Sequence, residues 1–115
     1  DRFAETGRFE LPDSAMTAAH RHFSAYRLDD AGTLAEIAAS METDGMCLDP
    51  HSAVGVSAAR RAIADGTVAA DIPVVALACA HPAKFGVAVS KATGTTPALP
   101  PHLADLMQRL LCQRD

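Results

Sequence analysis

The 115-residue chain has no surplus of positive charge, no membrane-length apolar run and no zinc-type cysteine spacing. Its 10 Lys and Arg stand against 14 Asp and Glu, a formal charge of −4. That balance excludes the broad basic surface that non-specific nucleic-acid binding requires. No apolar run approaches the roughly 20 residues of a membrane span, and the opening DRFAETGRFE is not a signal peptide. The cysteines Cys47, Cys79 and Cys112 cannot all pair internally and lie too far apart for a zinc signature. A reducing, cytoplasmic location fits this usage. Repeats and low-complexity tracts are missing too, as is an initiating Met, so Asp1 is not taken as the natural start. What remains is 49% hydrophobic and 21% charged, with 7 Gly and 7 Pro, the make-up of a single globular segment.

Helix signals dominate. After an extended lead-in over 1–10, Leu11-Pro12-Asp13 opens a helix-compatible stretch to about Phe23. Thr33-x-x-Glu36 has capping-box form ahead of Leu34, Ile37, Ala38 and Met41 at helical spacing. Asp49-Pro50 places a side-chain acceptor before a residue that needs no amide proton, predicting a slim, small-residue helix through Val54, Ala58 and Ala62 to near Gly66. Pro82 opens another helix through Phe85, Ala88 and Val89 to Gly94. A stiff Thr95–Pro101 connector leads to an amphipathic stripe of Leu103, Leu106, Met107, Leu110 and Leu111.

The exception is Ile72-Pro73-Val74-Val75-Ala76-Leu77-Ala78-Cys79, apolar without alternation. Its length and β-branched content predict a strand over 73–79 buried on both faces, with a short second strand over 46–48 as a possible neighbour. The fold class expected is therefore an α/β fragment, helix-rich with about five helices and one interior strand. One such strand cannot satisfy its own backbone groups. The chain is expected to be part of something larger, or to complete its sheet by self-association.

Two segments carry a resemblance. Thr43-Asp44-Gly45-Met46-Cys47-Leu48-Asp49-Pro50-His51-Ser52-Ala53-Val54-Gly55-Val56 resembles the family segment TGYLIDPHTAVGV, and Leu77-Ala78-Cys79-Ala80-His81-Pro82-Ala83-Lys84-Phe85 resembles LATAHPAKF. In this order and spacing, both resemble the C-terminal part of bacterial threonine synthases, over roughly residues 20 to 111. The resemblance implies a fold-type II pyridoxal-phosphate scaffold, similar to the tryptophan synthase β subunit. It also implies conversion of O-phospho-L-homoserine and water to L-threonine and phosphate. The family's Schiff-base lysine and glycine-rich phosphate loop lie upstream of these motifs. The only lysines here are Lys84 and Lys91, so no catalytic residue is assigned and the isolated chain is expected to be inactive, without bound pyridoxal phosphate.

The resemblance further implies that Cys79 stands where the family commonly has a Thr, offering a neutral thiol to the pyridine nitrogen. Read alone, without the resemblance, Cys79 is better taken as a small buried hydrophobe at a strand end. Two readings of Asp49, Pro50, His51 and Ser52 compete. In one, a helix N-terminus faces the cofactor ring or an anionic group; in the other, Asp49 merely caps and His51 and Ser52 are exposed. His81 and Lys84 are candidates for the substrate side, although a first-turn Lys is most often simply solvated. His20 and His22 diverge on a helix, and no metal site is expected. The partners implied are the remainder of the parent chain and O-phosphohomoserine, with neither nucleic acid nor membrane. The rival reading is a stand-alone helical interaction module without catalysis. The Cys79 assignment leans on 74–79 being an inner rib of a sheet.

Overall fold

A computed structural model describes residues 2–105. Five α-helices follow one another: α1 (Arg2–Thr6), α2 (Asp13–His20), α3 (Asp30–Asp44), α4 (Pro50–Ala64) and α5 (Gly86–Thr93). Short 3₁₀ turns at Pro82–Phe85 and Pro101–Leu103 complete the regular structure. The expected lead-in over 1–10 contains α1. The stripe residues Leu106, Met107, Leu110 and Leu111, and Cys112, lie outside the described residues.

Helix α3 is the hub, packing against both α4 and α5. Its start lies three residues before the Thr33 capping box. Asp29 takes the N-cap and accepts from the Gly32 amide at 2.8 Å, while the Thr33 hydroxyl donates to the Asp29 carbonyl at 2.8 Å. Glu36, released from capping, pairs with Arg60 of α4 at 3.0 Å, and Arg60 also reaches Asp44 at 3.2 Å. Arg60 is half exposed in both pairs, and ion pairs open to solvent contribute about 0–1 kcal/mol; apolar contact does more. Ile37, Leu48 and Ala53 form the core cluster, with Val56 and Ala92 packed on it and Val89 fully buried. Gly45 ends α3 at φ 65°, with nothing within 4 Å of an added Cβ. Gly45→Ala should therefore cost about 1 kcal/mol of stability through backbone strain alone, read as a lower midpoint in urea.

The fold is not the expected α/β fragment with a buried strand over 73–79: no strand is found among the described residues. Residues 46–48 form a coil that drops Leu48 into the core, and 73–79 run without ladder bonds. Val75 and Leu77 are 81% and 78% exposed rather than buried. The physical reason is that a strand exists only through pairing with a neighbour, whereas β-branched content reports side-chain preference alone. No neighbour is present among the described residues.

The consequence is an open molecule. The radius of gyration is 18.7 Å, against about 13 Å for a compact chain of this length. The accessible surface is 9052 Å², against roughly 6,000 Å² for a compact monomer of this mass.

Candidate functional site

The site grows from the start of α4. Asp49 is the N-cap and Pro50 the first helical residue, so the cap is fixed by local sequence. The Asp49 carboxylate, 1% exposed, accepts from the His51 amide at 3.0 Å and from the Ser52 hydroxyl, and lies 3.2 Å from His51 Nδ1. Burial pushes this carboxyl up, but the hydrogen bonds from the Ser52 hydroxyl, the His51 amide and ring, and the Ser52 amide outweigh it. Its pKa falls below the ordinary carboxylate value.

The linkage has one sign. A depressed folded-state pKa adds stability above the unfolded value of about 3.9, and that stability is lost as pH falls through the folded value. Urea midpoints should therefore drop between about pH 5 and pH 2, and Asp49→Asn should flatten that slope.

Ser52, 5% exposed, reaches across the fold: its Oγ accepts from the Cys79 amide at 3.1 Å. Twenty-seven residues separate the two. Structure thus joins Asp49, Ser52 and Cys79 in one hydrogen-bonded chain. The Cys79 thiol is exposed, and its Sγ makes only a long 3.5 Å contact to the Leu77 carbonyl. Cys79 does not stand at the end of an inner strand, as its role was expected to require. What supports it instead is the tether at its amide.

His51 is exposed and its ring lies against that of Phe85, tilted by 59° with centroids 5.0 Å apart. The Lys84 ammonium lies 5.5 Å from the same ring's centroid, within cation–π range. Phe85, which the sequence did not single out, is therefore the bridge between the two candidate groups. Lys84 lines a groove of about 600 Å³ together with Pro50, Phe85, Val87, Lys91 and Asp30. His81 is elsewhere. It caps the 3₁₀ turn, with Nδ1 accepting from the Ala83 amide at 3.2 Å, and lines a second groove with Met41, Cys47 and Thr96. Among the described residues no group of three or more His, Cys, Asp or Glu is placed to hold a metal. No described helix is long and apolar enough to cross a membrane.

Chemically, the arrangement offers an accessible thiol on a tethered backbone and, separately, a groove carrying both lysines. The N-terminus of α4 is already filled by its own carboxylate, so it does not serve as a phosphate cradle. A ring nitrogen would take a hydrogen bond from the exposed Cys79 thiol, whereas a phosphate group has no comparable partner at the filled α4 N-terminus.

The backbone is similar to part of a pyridoxal-phosphate-bound threonine synthase from Brucella melitensis, with a TM-score of 0.78 and 42% identity over 92% of this chain and 22% of that one. The segment is thus of the class found within a much larger, cofactor-bound protein. A family model described as threonine synthase, C-terminal, matches residues 52–111, and the chain belongs to that family. It is 41% identical to the Pseudomonas aeruginosa threonine synthase over 110 residues, 95% of this chain and 23% of the relative. The Schizosaccharomyces pombe threonine synthase is 35% identical over 92 residues, covering 80% of this chain and 18% of the relative. The chain therefore spans about a fifth of the length of these relatives.

Proposed function

We infer that this chain is the C-terminal part of an enzyme that converts O-phospho-L-homoserine and water to L-threonine and phosphate. The observation that carries the reading is the tether of Cys79 to Ser52 and Asp49, which lies across the two motifs resembling that family. Pyridoxal phosphate, when bound, supplies the electron sink for this chemistry. Cys79 presents its thiol to the pyridine nitrogen. A thiol is a hydrogen-bond donor here and, unlike a carboxylate, does not favour the pyridinium form. Pro50 and His51 wall the site beside it, and Lys84 attracts the substrate's phosphate by charge across the groove. His81 faces the neighbouring groove and shapes the turn that carries Lys84.

Complementation tests the reading. The chain alone, supplied with pyridoxal phosphate and O-phosphohomoserine, should release no phosphate. Mixed with the upstream portion of the parent enzyme, it should restore release. An interaction module without catalysis gives no release in either case.

A further inference from the structure

We propose that Ser52 and Asp49 do not contact cofactor or substrate but are positioning residues that set the backbone of Cys79. The proposal rests on the reading of Cys79 given above. Both side chains are at least 95% buried, with exposures of 5% and 1%, so neither reaches a ligand directly. Their polar capacity is also committed. The Ser52 hydroxyl proton goes to Asp49, which turns the oxygen's lone pairs outward, and the Cys79 amide donates to that oxygen. A serine rotor left free could point its proton anywhere. The carboxylate removes that freedom and, by drawing on the hydroxyl proton, makes the oxygen a better acceptor.

The location of the tether carries the argument. Among the described residues, the Cys79 amide is the one backbone N–H between Pro73 and Ala80 that donates to protein. Seven residues of exposed chain, 73–79, are thus pinned to the helical unit at the very residue whose thiol faces the cofactor. A clamp meant only to hold the segment down could sit at any of these amides. Asp49 in turn is fixed by capping α4, so the position of Cys79 is referred to a helix end rather than to a loop. A site supported in this way holds its geometry better than one left on a free segment.

The test uses the full-length enzyme that carries this segment, and reads hydrogen exchange at the Cys79 amide together with the dissociation constant of pyridoxal phosphate. Ser52→Ala should speed exchange at Cys79 by about tenfold, the effect of losing one hydrogen bond. The buried Ile37 and Val89 amides should stay unchanged, and cofactor affinity should fall several-fold. Ser52→Thr, the residue in the family motif, should restore both readings. If Ser52→Ala does not fold, Asp49→Asn should still raise Cys79 exchange about threefold, because it weakens the polarisation without deleting the hydroxyl. Unchanged exchange at Cys79, or equal acceleration at Cys79, Ile37 and Val89, overturns the proposal. The functional reading fails separately: it falls if the wild-type enzyme releases no phosphate from O-phosphohomoserine, whatever the exchange data show.

Discussion

Replacing Cys79 by Leu in the full-length enzyme is expected to reduce phosphate release from O-phosphohomoserine by at least about a hundredfold, whereas Cys79→Ser keeps a large share of it. A pyridine nitrogen without its donor is left facing apolar surface, and an unpaired buried polar group costs about 1–3 kcal/mol. Leu also adds bulk at a point where the backbone cannot retreat, since the Cys79 amide is held to Ser52 at 3.1 Å. Displacing a bound reactant by about 1 Å can alone cost about a hundredfold in rate. Serine is a stronger donor than a thiol and slightly smaller, so it keeps the contact and the tether. The assay compares kcat and the cofactor's dissociation constant across the three proteins. Full activity of the Leu variant means that Cys79 does not face the ring, and the assignment fails there.

Local chemistry in the sequence anticipated much of the helical framework. Asp49-Pro50 opens α4 because an Asp acceptor followed by a residue lacking an amide proton satisfies a helix start without outside help. Gly94, at φ 72°, closes α5 for the same local reason. At α3 two local signals competed. Asp29 and the Thr33–Glu36 pair are both valid caps; Asp29 takes the cap, and Glu36 pairs instead with Arg60 of α4. Nothing near Glu36 in sequence announces that partner.

The misreading of 73–79 has the same origin. Val74 and Val75 do favour strands, but pairing is a property of a neighbour and not of these residues, and 73–79 carry no regular structure. The candidate site was likewise half visible. Motif residues marked Asp49, Ser52 and Cys79, yet a bond between a first-turn hydroxyl and an amide 27 residues on has no periodicity or spacing to betray it. The sequence also grouped His81 with Lys84, because both follow the expected strand and open the next helix. The 3₁₀ turn between them sends one to each groove.

The second large effect concerns stability, and it separates the two kinds of apolar residue in this chain. Ile37→Ala should unfold the helical unit, because Ile37 is fully buried at the meeting of α3 with Leu48, Ala53, Val56 and Ala92. Truncating a buried Ile costs about 2–5 kcal/mol. Only five hydrophobic residues are buried among those described, so little else holds the unit together. Leu77→Ser should do the opposite in the isolated chain. Leu77 is 78% exposed, so its loss removes no contact and instead trims an apolar surface prone to self-association. In the full-length enzyme the same Leu77→Ser change should destabilise by about 1.5–3 kcal/mol, the value of a fully buried Leu side chain. That expectation follows if the remainder of the parent chain packs on the surface exposed here. Thermal melts of both variants in both contexts give four readings, with light scattering for the isolated chain. If Leu77→Ser is silent in the full-length enzyme, the exposed run from Val74 to Leu77 is not an internal contact surface. The excess surface of this segment then needs another explanation.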